Sequence, residues 1–198
     1  MRGKSRRSFY VLLATLASVS GCAKGPPPDF YVLSATTSES IVGVERGVAV
    51  GVGPIELPAH LDRSQIVTRP TDYQLDLSES NQWAEPLKAS IPRVIAVNLS
   101  NMLESNRVFV IPRRQNVSLD FQVSIDITRF DGRLGESAVL GARWTLYGRS
   151  TREPLLSKVT IIYEETEDGT YKALVAASSR TLEVLSTEIA AAIKARKK

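Results

Sequence analysis

One thiol, one imidazole and scattered carboxylates are the first groups of this chain to weigh for nucleophilic, acid–base or metal chemistry. A single cysteine, Cys22, excludes an internal disulfide and any cysteine-based zinc site, and a single histidine, His60, excludes a histidine-rich metal centre. The sequence contains no Gly-x-Ser-x-Gly elbow, no Gly-x-x-x-x-Gly-Lys phosphate loop and no His-Glu-x-x-His pair. His60 sits in Leu57-Pro58-Ala59-His60-Leu61-Asp62-Arg63 with no partner motif beside it, so it reads as a surface or structural residue. Paired carboxylates do glycosidase work when they flank a bond. Asp120 and Asp126 instead lie on the polar side of an alternating stretch, and Glu164, Glu165, Glu167 and Asp168 crowd a turn, which is solvated charge. Gly51-Val52-Gly53 begins like a dinucleotide fingerprint, but Pro54 and Glu56 stand where the loop and third glycine belong. The chain reads as a protein that is not an enzyme, with no cofactor and no metal.

Cys22 is better explained by its position than by its reactivity. Arg2, Lys4, Arg6 and Arg7 precede a mostly apolar run from Phe9 to Val19, which has signal-peptide length and is too short for a spanning helix. Val19-Ser20-Gly21-Cys22 then resembles a bacterial lipobox, in which diacylglycerol is placed on the cysteine sulfur, cleavage makes Cys22 the first residue, and its amine is also acylated. Several acyl chains at about 0.8 kcal/mol per buried CH₂ make such an anchor permanent. Residues 1–21 are thus expected to be a signal peptide, and residues 22–29, with Pro26-Pro27-Pro28, a stiff spacer. Ala23 rather than Asp after the cysteine implies the outer membrane, facing the periplasm. The formal charge of +4 disappears with the four basic residues of the signal segment, which removes most of the support for a nucleic-acid partner.

The remainder, residues 30–198, has the composition of one folded domain: the whole chain is 43% hydrophobic and 23% charged, with no repeat or second linker. Phe30 to Leu33 reads as a strand, and Val48 to Gly53 as a second, ending at Pro54, whose glycines imply a bulge or a close neighbour. Ile66–Arg69 and Tyr73–Leu77 read as a hairpin around Pro70-Thr71-Asp72. Leu87, Ile91, Val94, Ile95, Leu99, Met102 and Leu103 recur at helical spacing, with Asn81 as a candidate cap. Pro92 either kinks that helix or sits in its first turn behind a Ser90 cap, and the second arrangement is preferred. Val108–Ile111 is a short strand. Leu119, Phe121, Val123, Ile125 and Ile127 alternate with polar residues. Asp131-Gly132 opens a turn into Ala138, Leu140, Ala142, Trp144 and Leu146, and Arg149–Pro154 turns into Val159, Ile161 and Tyr163. Leu174, Leu182, Leu185, Ile189 and Ile193 mark a final amphipathic helix. The expected fold is α+β: a two-layer sandwich with a mainly antiparallel sheet, ending in a three-strand meander, covered by two amphipathic helices.

Leu57 through Arg69, then Asn81-Gln82-Trp83-Ala84-Glu85-Pro86-Leu87, then Arg93 through Leu99 resemble, in order and spacing, the paraquat-inducible protein C (PqiC, YmbA) family of lipoproteins. Phe30-Tyr31-Val32-Leu33 is similar to that family's first strand, and Pro92 is a departure from its helix. The resemblance implies an ABC-type transport auxiliary component: an outer-membrane lipoprotein that docks an MCE-type intermembrane lipid transport system and supports membrane integrity. It also implies a periplasmic MCE-domain partner of the PqiB type, with a homo-oligomer compatible. Leu57, Pro58, Leu61, Asp62 and Arg63, with Trp83 and Glu85, are the candidate docking residues. Alternatively, Leu57 and Leu61 are core, Asp62 and Arg63 an ion pair, and Trp83 a packing residue. A rival function is a periplasmic lipid-binding module with its own acyl pocket between helices and sheet.

Overall fold

The computed structural model describes residues 26–35, 47–112, 117–149 and 153–196. The expected signal peptide, Cys22 and most of the turn after Arg149 lie outside the described residues. Among the described residues, two mixed sheets and two helices form an α+β fold. The smaller sheet has strand order β1-β4-β3, from β1 (Asp29–Tyr31), β3 (Gln65–Thr71) and β4 (Gln74–Trp83). The larger has order β5-β2-β6-β7-β8, from β2 (Val50–Glu56), β5 (Val108–Val110), β6 (Phe121–Gly132), β7 (Ser137–Gly148) and β8 (Pro154–Glu165). Helices α1 (Leu87–Leu103) and α2 (Tyr171–Lys194) pack against the larger sheet.

The meander β6-β7-β8 is antiparallel throughout, whereas β2 pairs in parallel with both β5 and β6. Alternation in β6 does what it predicts: Phe121, Val123, Ile125 and Ile127 are buried, opposite Gly148, Leu146, Trp144 and Ala142 of β7. Directly paired residues share a face, so these side chains form one floor. The helical rows supply the roof: Leu87, Ile91, Val94, Ile95, Leu99 and Leu103 of α1 and Leu174, Leu182, Leu185, Ile189 and Ile193 of α2 are all buried. Between the helices Asn98 Nδ2 donates to Ser186 Oγ at 3.4 Å, and the Trp144 indole N–H donates to Thr160 Oγ1 at 3.3 Å within the core.

Several boundaries differ from expectation. Strand β2 does not stop at Pro54 but continues to Glu56 through a register shift between Val52 and Ile55. Gly53 allows it: φ is +128°, and a Cβ there would lie 2.5 Å from the Ile111 carbonyl oxygen. The hairpin turns at Asp72-Tyr73, with Pro70 and Thr71 inside β3, and β4 runs on to Trp83. Asn81 is therefore a strand residue, accepting from the Tyr31 hydroxyl at 3.0 Å, and caps no helix. Likewise β6 passes through Asp131-Gly132, and the turn falls at residues 133–136.

Helix α1 begins at Leu87 behind Pro86, not at Ile91 behind Ser90, and carries Pro92 in its interior. Pro92 lacks the N–H that would bond the Lys88 carbonyl, yet Leu87 and Ser90 are buried and hold that first turn on the core. Tertiary burial outweighs the local cost, as it does for most helices in proteins. In β8 the surprise is the phase. Val159, Ile161 and Tyr163 are 62%, 61% and 63% exposed, while Thr160 and Ile162 face the helices. Register decides this: Ile162 pairs with Leu140 and Thr160 with Ala142 on the core face, so Val159 shares the opposite face with Arg143.

Two carboxylates bind distant segments. Asp131, with a fully buried side chain, accepts from Arg69 Nε at 3.0 Å and Arg129 Nε at 2.7 Å, joining β3 of the small sheet to β6 of the large one. Asp120 accepts from the Ala49 backbone N–H at 2.9 Å and from Arg149 at 2.7 Å, and these bonds, the Ala49 one foremost, hold its carboxyl below the usual carboxylate range. Breaking a buried ion pair from one side strands a charge. Asp131→Ala should therefore cost about 3 kcal/mol in urea denaturation, since Arg69 and Arg129 keep some solvent contact. Because the Asp120 pKa is depressed in the fold, its contribution is present above the unfolded value of about 3.9 and is lost as pH falls through the folded value. Urea midpoints should thus fall more steeply below about pH 4 for the wild type than for Asp120→Asn.

Candidate functional site

The segment Leu57–Arg63 is a wound loop between β2 and β3. The Leu61 N–H donates to the Pro58 carbonyl and the Arg63 N–H to the Leu61 carbonyl, both at 2.9 Å, and the Trp83 N–H donates to Ser64 O at 2.7 Å. These bonds bring the two sequence segments together: Asp62, Arg63, Trp83 and Glu85 line one groove of about 290 Å³ with Ser64, Ala84 and Pro86. The candidate residues thus converge in space, but they do not share a role. Leu61 is fully buried, Leu57 packs on the core, and Pro58 is half-buried. Trp83 is also buried, its ring 6.3 Å from that of Phe130, so it closes the core under the groove and offers a partner little surface.

What remains accessible at the groove is Ala84 and Pro86 beside charged side chains. Asp62 lies 3.9 Å from Lys88 Nζ, and Glu85 is paired with Arg93. The Arg93 hydrogen bond lowers the Glu85 pKa, and the same bond raises that of Arg93. Asp62 and Arg63 do not form the ion pair with each other that their adjacency invites. Arg63 Nε and His60 Nε2 are buried without a hydrogen-bond partner. Among the described residues no acid or nucleophile is bonded to His60 Nε2 to make it a general base, and no group of three His, Cys, Asp or Glu is placed to hold a metal.

A second surface went unseen in the sequence. Strand β8 is the edge of the five-stranded sheet, and its outward row of Val159, Ile161 and Tyr163 is exposed along one side. Its inward side is latched to α2: Lys158 Nζ and Thr160 Oγ1 meet Glu188 at 2.9 and 2.8 Å, and Arg180 reaches Glu164 at 3.3 Å. Apolar residues on both faces of one strand were the available signal, since Leu156 and Ile162 alternate out of phase with Val159 and Ile161. An edge with free main-chain groups and an apolar row is a template for pairing with another chain.

A family model described as ABC-type transport auxiliary lipoprotein component matches residues 31–190. The chain belongs to that family. This supports a non-enzymatic auxiliary role for a membrane-anchored lipoprotein, and among the described residues no helix is long and apolar enough to cross a membrane. The auxiliary component shares its fold with two crystal structures. One, of an uncharacterized protein, is 18% identical with a TM-score of 0.70, covering 85% of this chain and 99% of the other. The second, from Xanthomonas campestris, is 16% identical with a TM-score of 0.66, covering 85% and 100%. No curated protein matches the chain. Since Trp83 is structural, Trp83→Ala should cost about 3–5 kcal/mol in chemical denaturation. The exposed Asp62→Ala should leave the midpoint nearly unchanged.

Proposed function

We propose that this chain is an outer-membrane lipoprotein, acylated on Cys22 after loss of residues 1–21, whose single domain over residues 30–198 docks an MCE-type lipid transport system without catalysis. The observation that carries the reading is the exposed apolar edge strand β8 on a member of a transport auxiliary family. A periplasmic MCE-domain protein of the PqiB type would add an extended segment to β8. Main-chain hydrogen bonds then supply affinity, and the spaces between Val159, Ile161 and Tyr163 supply specificity. The outer-membrane destination rests on Ala23 following Cys22. The groove at Asp62 and Glu85 serves this reading as a secondary contact, because a partner there must compete with Lys88 and Arg93.

The rival, an acyl pocket between helices and sheet, has less support. That layer is filled by Leu99, Leu182, Leu185 and Ile189, each fully buried. Fractionation of a Gram-negative host fed labelled fatty acid tests the anchor. Wild type should be labelled and cofractionate with the outer membrane, and Cys22→Ala should be unlabelled and released; a soluble, unlabelled wild type removes the anchor. Crosslinking to the MCE-domain partner tests the edge. Ile161→Asp should lower the yield at least about tenfold, equivalent to roughly 1.4 kcal/mol, whereas Asp62→Ala should not, and an undiminished Ile161→Asp crosslink places docking elsewhere.

A further inference from the structure

The chain enters its folded body along β1, and the residues it meets first are apolar and uncovered. Phe30 and Val32 are 64% and 54% exposed, and both border the same groove. Leu33 is buried in the core. With Val175, Ala176 and Ser179 of α2, Phe30 and Val32 line an open groove of about 450 Å³. The Ser34 backbone N–H donates to Ser179 Oγ at 3.2 Å, which pins this N-terminal segment to the helix. The rim is charged: Lys172 is exposed, Glu183 stands opposite, and Arg180 is committed to Glu164 and to the Glu165 carbonyl. Exposed aromatic and aliphatic side chains beside a lysine suit the boundary between lipid headgroups and acyl chains, where apolar groups enter and cations meet phosphates.

Length then decides which occupant this face meets. From Cys22 to Phe30 is eight residue steps, which span at most about 29 Å fully extended. A domain of this size has a radius of gyration of about 15 Å, and so is roughly 40 Å across. The tether is shorter than the body it holds. A cysteine anchored in a leaflet therefore cannot let the domain carry Phe30 to its far pole, and the groove, next to the tether, is on the part of the body held nearest the lipid.

We propose that the Phe30–Val32 groove is a membrane-seating surface: Phe30 and Val32 enter the phospholipid leaflet that holds the anchor, and Lys172 meets its phosphates. This rests on the proposed acylation of Cys22. It fixes the orientation of the domain, with one end seated on lipid and other surfaces left for a protein partner.

The test uses the full-length lipidated chain in vesicles of phosphatidylethanolamine and phosphatidylglycerol. An environment-sensitive fluorophore is placed on Val32→Cys, on Ala176→Cys within the same groove, and on Val159→Cys on β8, with a doxyl-labelled lipid as quencher. All three positions are exposed or at the groove, so the core is not disturbed, and two independent groove positions guard against a local defect. Quenching at positions 32 and 176 several-fold above that at 159 is the expected result. Equal quenching at all three, or none in the groove, overturns the seating surface while leaving the lipoprotein reading intact, provided mass spectrometry shows Cys22 acylated. An unacylated Cys22 overturns that reading, and the seating surface with it.

Discussion

A single buried carboxylate holds the two sheets in register with each other. Asp131 lies in β6 of the large sheet, yet one of its oxygens is taken by Arg69 of β3 and the other by Arg129. Arg133 adds to the join by donating to the Arg69 carbonyl at 3.2 Å and approaching Asp72 at 3.4 Å. Charged hydrogen bonds in a desolvated setting are directional, so they fix an angle between the sheets that apolar contact alone would leave free to slide. The small sheet carries β1, which receives the chain from its anchor side, and β4, which delivers it into α1. Where β3 sits on β6 therefore sets where the N-terminal face and the Trp83 groove sit relative to the meander.

Most of the architecture was legible because it depends on periodicity. The period-two rows of β6 and β7 and the helical rows of α1 and α2 each name one buried face, and those faces meet. Boundaries were less legible because they depend on partners. Strand β4 extends to Trp83 because β1 and the Ser64 carbonyl supply its hydrogen bonds, and neither is local to it. Helix α1 tolerates Pro92 because Leu87 and Ile91 are buried against the sheet, a contribution that no local propensity contains. The parallel pairing of β2 with β5 and β6 is likewise a product of topology: nothing in Val50–Val52 distinguishes a parallel neighbour from an antiparallel one.

The candidate site divides along the same line. The family resemblance singled out Leu57–Arg63 with Trp83 and Glu85, and the fold brings Asp62, Arg63, Trp83 and Glu85 around one groove. Which of them a partner could touch was not readable, since Trp83 and Leu61 are as apolar in a core as in an interface. The phase of β8 has a physical reason. Val159, Ile161 and Tyr163 form the stronger apolar row by composition, but Thr160 wins the inward position because its hydroxyl answers the buried Trp144 N–H and the Glu188 carboxylate together. Satisfying a buried donor is worth more than covering surface that can stay wet.

An exposed apolar edge is ordinarily a hazard, and the charges around β8 show how it is kept selective. Lys158 and Glu164 are drawn inward to Glu188 and Arg180 of α2, so the strand is held tightly to the body while Val159, Ile161 and Tyr163 stand outward, with Arg143 beside Val159 and Glu165 at the end of the row. A strand clamped in this way cannot twist away from an incoming segment, and the ordering cost of pairing falls mainly on the partner. The same helix lines the Phe30 groove with its first turns and latches β8 through Arg180 and Glu188. Helix α2 thus joins the Phe30 groove to strand β8 through one continuous element, so the two surfaces keep a fixed relation to each other.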